Sequence, residues 1–247
     1  MARYFIHLSY VGTAYNGWQN QPHVGTKTVQ STIESALSLF LGQEMNIVGC
    51  GRTDTGVHAQ GYYAHIDIES VVDIPHLIYR ANKILPMDIA IHDILLVKDN
   101  AHTRFDAVSR SYQYHLHTSK WPFAAQSFYY TYDRPDIDLL NQAAAVLMQY
   151  EDFTTFCKLH TDVKTMICRV TESQWSKQGD HYIYRITSDR FLRGMIRLIV
   201  GMCLNVARGK LSIDDVHHAM KDQKRLPYDW SVPAEGLCLC DIRYPYL

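Results

Sequence analysis

The sequence predicts an α+β protein of two halves, each with the element order β-α-β-β-α-β. Segments of alternating apolar and polar residues, typical of half-buried strands, are separated by segments with apolar residues every three to four positions, typical of amphipathic helices. The order found in residues 1–104 recurs in residues 105–247. It is the order of the ferredoxin-like unit, which RRM-type domains share. We therefore expect two ferredoxin-like (RRM-like) halves with their sheets side by side, helices on one face and a cleft between the halves.

The first half contains four predicted strands and two predicted helices. Alternation is clearest where Tyr62, Ala64 and Ile66 are separated by Tyr63 and His65. Strands are predicted over residues 3–10, 46–50, 62–68 and 89–97, and helices over residues 28–41 and 75–85, the latter with proline in its first position. The loop after the first strand is predicted from Gly12, Gly17, Pro22 and Gly25.

The second half repeats this order and adds one helix. Its first strand alternates through Arg110, Tyr112, Tyr114 and Leu116. Strands are predicted over residues 108–118, 164–175, 181–188 and 237–243, and helices over residues 136–150, 191–208 and 213–222. The chain contains no flexible linker, so we expect the halves to act as one body.

The composition excludes several classes of protein. With 47% apolar residues among 247, the chain can bury a core and is not disordered. A formal net charge of −1 excludes a histone-like basic coat. Four arginines nevertheless lie close together, which indicates either a basic face for RNA or an ordinary solvated face. They are Arg185, Arg190, Arg193 and Arg197.

The same composition predicts a cytoplasmic protein without a membrane segment. No pair of the six cysteines has zinc-ligand spacing. The N-terminal residues begin with a strand-like pattern and not with a signal segment. The apolar run over residues 195–206 is too short to span a bilayer and is interrupted by Arg197.

The segment over residues 49–60 carries the chemistry. Three glycines surround Asp54, and glycine permits backbone conformations and close approaches that other residues resist. Arg52, two residues earlier, would keep a carboxylate ionised, so that it could act as a nucleophile or base. The structural alternative is an aspartate that caps a tight turn, with Arg52 as its surface partner.

Two other enzyme classes fit less well. The tripeptide Asp-Thr-Gly at residues 54–56 is that of aspartic proteases, but those enzymes need two carboxylates that share a proton, and no second copy occurs here. A metal hydrolase could use His58, His65 and Asp67, but no further ligand is evident. Surface or core histidines are the simpler interpretation, and we predict no metal site.

Several motifs together resemble the TruA family of tRNA pseudouridine synthases over nearly the whole chain. The most specific is GRTDTGVHA at residues 51–59, which matches the family's active-site motif. YVGTAYNGWQ at residues 10–19, HTRFDA at 102–107, RSYQY at 110–114, FLRGMIR at 191–197, IVG at 199–201 and EGL at 235–237 follow in the family's order. The chain departs from the pattern at Val11, where the family usually has Asp, and at Thr55, where it usually has Ala.

The resemblance implies a reaction and its partners. The family converts uridine to pseudouridine at positions 38, 39 and 40, in the anticodon arm of tRNA, without metal or organic cofactor. It forms homodimers with tRNA lying across both subunits. The alternative is a catalytically silent RNA-binding or chaperone protein of the same fold. The presence of Arg52, Asp54, Tyr112 and Arg197 disfavours it.

The resemblance also implies roles for individual residues. Asp54 would be the nucleophile or base, and Arg197 would hold it ionised and aimed. Tyr112 would stack on the flipped uracil and assist proton transfer at C5. Leu237 would form an apolar wall of the base pocket or simply belong to the core. Arg52 would reach the RNA backbone or fill the space that the uridine leaves.

Further RNA contacts are predicted outside the motif. Arg190 and Arg193 are candidate phosphate contacts, which would position the RNA without reading its sequence. The aromatic residues Tyr15 and Trp18 in the opening loop have two possible interpretations, contact with RNA or packing within the loop.

Overall fold

The computed structural model describes residues 1–20, 25–69, 72–157 and 165–247. Pro22 of the predicted opening loop and Lys164 of a predicted strand lie outside these ranges. The chain is mixed α and β, and it forms two compact units. Unit 1 comprises Met1–Val108 and Cys238–Leu247, and unit 2 comprises Ser109–Leu237.

Within these ranges the elements follow the predicted order, except that a short strand over Phe128–Tyr129 was not predicted. The strands are β1 (Ala2–Tyr10), β2 (Val48–Gly49), β3 (His58–Ile68), β4 (Ile89–Leu96), β5 (Ser109–His117), β6 (Phe128–Tyr129), β7 (Val170–Gln178), β8 (His181–Ser188) and β9 (Leu237–Arg243). The α-helices are α1 (Val29–Leu41), α2 (Ile74–Ile84), α3 (Ile137–Val146), α4 (Met195–Ala207) and α5 (Ile213–Asp222). No helix in the described ranges is long and apolar enough to cross a membrane.

Local sequence explains where the helices of unit 1 begin. The Thr28 hydroxyl accepts the backbone N–H of Ser31 at 3.1 Å, and the Ser31 hydroxyl accepts that of Thr28 at 3.3 Å, which forms a capping box for α1. The Asp73 carboxylate accepts the backbone N–H of His76 at 3.1 Å and starts α2. Pro75 is thus the second residue of this helix, one position later than predicted.

Unit 1 contains a sheet with strand order β4-β1-β3-β9. β1 is antiparallel to both β3 and β4, whereas β3 and β9 are parallel, with His58 opposite Cys238. The last strand of the chain, from Cys238 onward, therefore belongs with the first unit. The pairing of Leu8 with Tyr62 places alternate buried residues of β1 and β3 on one face.

Unit 2 contains a sheet with strand order β7-β8-β5, and β6 pairs with β5. Helix α3 packs against β7 and α4. Tyr114 of β5 lies opposite Tyr184 of β8, and both side chains are fully buried. The covered face of this sheet is therefore aromatic.

Several predicted boundaries were wrong, and three of them have a clear physical reason. β7 begins at Val170 because its partner β8 ends at Ser188, which lies opposite. α4 begins at Met195 and not at residue 191, because Gly194 just before it has a left-handed φ of 72°. β3 begins four residues earlier than predicted, at His58, where it pairs with β9.

Candidate functional site

Asp54 lies in the loop between β2 and β3 of unit 1. The backbone N–H of Val57 donates to the Asp54 carbonyl at 3.2 Å, and Gly56 within this turn has a φ of 80°, which favours glycine. Asp54 is half-buried, whereas Arg52 and Thr55 are exposed. The tight turn therefore presents the carboxylate from a short, constrained stretch of backbone.

The opening loop after β1 holds this turn through its backbone. The N–H of Trp18 donates to the Thr53 carbonyl at 3.2 Å. Gly17 has a φ of 87°, and a Cβ there would lie 2.5 Å from the same carbonyl oxygen. A Cβ on Gly12 would lie 2.0 Å from the Val57 carbonyl oxygen. Both glycines are needed because the two backbones approach more closely than a side chain permits.

Two tyrosine hydroxyls bind the residues on either side of Arg52. Tyr62 donates to the Gly51 carbonyl at 2.6 Å, and the Tyr10 hydroxyl lies 2.9 Å from the Thr53 hydroxyl in a buried contact. Trp18 stacks on Tyr62 with ring centroids 4.0 Å apart. These contacts fix the backbone before Asp54 while residue 52 stays exposed.

Arg52 has a polar partner in the opening loop. Its Nε donates to the Gln19 side-chain carbonyl at 2.5 Å. Gln19 is a site neighbour that the sequence alone did not single out, although it ends the opening motif. The bond orients the exposed guanidinium at the rim of the Asp54 turn.

Tyr15 and Trp18 pack inside the unit, and each is only 2% exposed. The Tyr15 hydroxyl donates to the Asp88 carboxylate at 2.5 Å. Burial, followed by this hydrogen bond and the charge of Asp88, raises the pKa of Tyr15 well above its ordinary value. Of the two interpretations left open by the sequence, packing is the one that the structure supports.

The three residues considered for a metal hydrolase have separate partners. His58 accepts the backbone N–H of Gly12 at 3.0 Å through Nδ1. His65 contacts the Thr103 hydroxyl at 2.9 Å, and Asp67 forms an ion pair with Arg3 at 2.7 Å. Across the described ranges, no group of three or more His, Cys, Asp and Glu side chains is placed to hold a metal ion.

Tyr112 and Arg197 lie in unit 2. Tyr112 is half-buried in β5, and its ring meets Phe191 edge-to-face at 5.2 Å. Arg197 is in the first turn of α4, and its Nε donates to the Val232 carbonyl at 2.6 Å. Each side chain thus has a neighbour that restricts its orientation.

Leu237 is the first residue of β9 and is only 6% exposed. It follows a short 3₁₀ turn over Ala234–Gly236. A Cβ on Gly236 would lie 2.8 Å from the ring of Tyr114, so the turn is pressed against the buried face of β5. The position of Leu237 is therefore set by close backbone packing in unit 2.

The two predicted phosphate-binding arginines, Arg190 and Arg193, follow the end of β8. Arg193 is exposed and Arg190 is half-buried. The Asp189 carboxylate accepts the backbone N–H groups of Arg190 at 2.7 Å and Arg169 at 2.8 Å. Arg110, which the sequence did not single out, donates to the Asp189 carbonyl at 2.7 Å. Arg110 lies two residues before Tyr112 on the same strand face, and this spacing is the sequence feature that could have placed it near the site.

Comparisons with known proteins identify relatives along the whole chain. A family model described as tRNA pseudouridine synthase matches residues 143–245. The chain is 46% identical over 249 residues to a protein of Porphyromonas gingivalis, and the matched region covers 99% of this chain and 98% of the relative. It is 44% identical over 248 residues to one of Bacteroides thetaiotaomicron, with coverages of 99% and 91%, and 34% identical over 241 residues to one of Bacillus subtilis, with coverages of 96% and 97%. All three relatives are named tRNA pseudouridine synthase A.

Proposed function

Because the chain belongs to the tRNA pseudouridine synthase A family, we propose that it isomerises uridine at positions 38, 39 and 40 of tRNA with Asp54 as the catalytic group. Family membership makes it an isomerase that acts on tRNA. The observation that supports Asp54 is its turn, which the glycines of the opening loop and the hydroxyls of Tyr10 and Tyr62 hold in place.

The reaction exchanges one bond of the nucleoside for another. The bond between the sugar C1′ and uracil N1 breaks, the uracil turns, and C1′ bonds to C5. C5 releases a proton and N1 acquires one, so the product is an isomer of the substrate. An ionised carboxylate can serve this exchange as nucleophile or base, and the resemblance implies that no metal or organic cofactor takes part.

The proposed site draws residues from both halves of the chain. We propose two ferredoxin-like halves, residues 1–104 and 105–247, with sheets side by side, helices on one face and the catalytic cleft between them. The support is the repeated element order and the distribution of the motif residues, since Asp54 belongs to unit 1 and Tyr112, Arg197 and Leu237 to unit 2.

The remaining site residues have the following roles in this proposal. Arg197 pairs with Asp54 and keeps it ionised, and the bond from its Nε to Val232 supports a fixed guanidinium. Tyr112 stacks on the uracil and assists proton transfer at C5, and its contact with Phe191 supports a held ring. Leu237 lines the base pocket. Arg52, exposed beside the turn, contacts the RNA backbone or fills the space that the extruded uridine leaves.

Binding outside the base pocket is proposed to be electrostatic and to involve two subunits. Arg190 and Arg193 contact phosphates, and the exposure of Arg193 supports this. The protein acts as a homodimer in the cytoplasm. All six cysteines lie in the described ranges as reduced thiols, which is consistent with a reducing compartment. A monomer in gel filtration at micromolar concentration would contradict the dimer.

The positions modified can be mapped on unmodified tRNA transcripts. After incubation with the protein, pseudouridine is located by carbodiimide modification and reverse transcription. We expect stops that report positions 38, 39 and 40, and their loss when those uridines are replaced by cytidine. Pseudouridine only elsewhere in the tRNA would contradict the proposed specificity. No pseudouridine on a transcript that still binds would favour the silent RNA-binding alternative.

A further inference from the structure

A segment of unit 2 outside the helices and strands lies along one face of α4. The Asn205 side-chain amide donates to the Tyr228 carbonyl at 3.0 Å. One turn earlier in the helix, a Cβ on Gly201 would lie 1.8 Å from the Trp230 carbonyl oxygen. The segment therefore touches the helix at two points with backbone atoms, and at the second there is room only for glycine.

One further turn earlier, the segment reaches Arg197. The Arg197 Nε donates to the Val232 carbonyl at 2.6 Å, and the Val232 N–H donates to the Arg197 carbonyl at 3.3 Å. Val232 is fully buried. Because Arg197 is bonded through both its side chain and its backbone, these two contacts restrict the direction of the guanidinium as well as its distance.

The contacts follow from the dimensions of the two elements. The helix residues are four apart and the segment residues are two apart, in opposite chain directions. Four helical residues rise about 6 Å. Two extended residues span about 6.6 Å. The matched repeats keep the segment in register with α4 over two turns.

Beyond Val232, the segment is held from the sheet. The Tyr114 hydroxyl donates to the Pro233 carbonyl at 2.9 Å, and the Tyr114 ring lies 2.8 Å from where a Cβ on Gly236 would be. Pro233 also restricts the residue before it to extended backbone. The next residue after Gly236 is Leu237. A single stretch over residues 228–236, which we call the α4 strap, thus contains the carbonyl that binds the Arg197 Nε and leads directly to Leu237.

We propose that the α4 strap positions Arg197 and Leu237 for the isomerisation, and that Gly201 and Tyr114 are positioning residues because they set the strap. This inference rests on the proposed function, which assigns Arg197 and Leu237 to the site. A glycine at residue 201 is required because any side chain displaces the Trp230 carbonyl and, with it, the carbonyl that binds the Arg197 Nε two residues later. The Tyr114 hydroxyl acts at the other end of the same segment.

The test compares two tyrosine hydroxyls in the same unit. Tyr114 and Tyr182 are both fully buried, and both donate to a proline carbonyl, Tyr182 to that of Pro135 at 3.2 Å. Pro135 is not in the strap, so Tyr182→Phe is the matched control. We expect Tyr114→Phe to lower kcat for pseudouridine formation about tenfold, with KM for tRNA within about twofold, because small misplacements of catalytic groups reduce turnover. Tyr182→Phe should retain wild-type kcat. Equal kcat values for the two variants would overturn the proposal.

A second measurement observes Arg197 without reference to turnover. In wild type, the Arg197 Nε–H should show slow exchange with solvent in NMR spectra of the full-length protein, because it is hydrogen-bonded and half-buried. In Gly201→Ala the same proton should exchange at least tenfold faster, and kcat should fall about a hundredfold. Unchanged exchange in a folded Gly201→Ala would overturn the role of the strap. Wild-type turnover by Arg197→Ala would instead contradict the proposed function and leave the exchange result intact.

Discussion

The hydroxyl of Tyr62 donates a 2.6 Å hydrogen bond to the carbonyl of Gly51, three residues before Asp54. Tyr62 is fully buried in β3, so a rigid strand is linked directly to the loop that carries the carboxylate. This relationship explains how a glycine-containing loop can hold the proposed catalytic carboxylate in one place. Its removal should therefore affect the reaction more than the fold.

Tyr62→Phe tests this link. Loss of the bond should lower the free energy of unfolding by about 1 kcal/mol. It should lower kcat about tenfold with little change in KM, because the Asp54 turn loses one constraint. Tyr130→Phe is the matched control, since the buried Tyr130 hydroxyl has no hydrogen-bond partner among the described residues, and its loss should be neutral or stabilising. Wild-type kcat in Tyr62→Phe would contradict the account.

Gly17→Ala tests the contact between the opening loop and the turn. Alanine there would have a strained φ of 87° and a Cβ 2.5 Å from the Thr53 carbonyl oxygen. We expect turnover to fall about a hundredfold as the turn shifts. Gly42→Ala separates the two effects, because Gly42 has a φ of 68° but no atom within 4 Å of its Cβ position. Gly42→Ala should lower the free energy of unfolding by about 1 kcal/mol, measured by chemical denaturation. Its activity, measured by tritium release, should be unchanged. Equal loss of turnover in both variants would contradict a specific contact.

The stability of unit 1 should depend on pH through His65. Burial, followed by the charges of His102 and Arg3, lowers the pKa of His65 to about 4 from its ordinary 6.5. The unfolded chain therefore binds a proton on this residue between pH 6.5 and about 4 while the folded chain does not. Stability should be full above pH 6.5 and fall below it, by up to about 3 kcal/mol near pH 4. Urea denaturation at pH 7 and pH 5 measures the change. His65→Gln should show a smaller decrease, and an equal decrease would assign the effect to other groups.

Arg193 tests the proposed phosphate contacts. Arg193→Gln should weaken tRNA binding at every salt concentration and reduce the slope of log affinity against log salt by about 1. Lys221→Gln, which also removes one exposed positive charge, is the matched control on α5 and should leave the slope unchanged. The slopes can be measured by filter binding at salt concentrations between roughly 50 and 300 mM, because contacts with phosphates are progressively screened over this range. Indistinguishable slopes for the two variants would remove Arg193 from the RNA-binding surface.

Local patterns predicted most elements well. The helix over residues 213–222 was predicted with its observed bounds, and its start is fixed locally, since Ser212 and Asp215 form a capping box there. Errors occurred where pairing with a distant strand decides the boundary. The start of β7 depends on where β8 ends, and the start of β3 depends on β9, nearly 180 residues later.

The site was predictable to the extent that a motif marks it. The glycines around Asp54 are visible in the sequence, but Tyr62 is one of 17 tyrosines, and its bond to Gly51 depends on the register of β3. The α4 strap also has no local pattern, since Gly201 and Trp230 meet only after the helix and the segment pack together. Long-range packing therefore supplies the residues that hold the site.

The most direct test of the account is tritium release from tRNA labelled at uracil C5, with wild type compared with Asp54→Asn. The substitution keeps the size of the side chain, removes its charge and replaces one acceptor oxygen with an NH2 donor. We predict release by wild type and none above background by the variant, while both bind tRNA with similar affinity. Release by Asp54→Asn at the wild-type rate would contradict the assignment of Asp54 as the catalytic group.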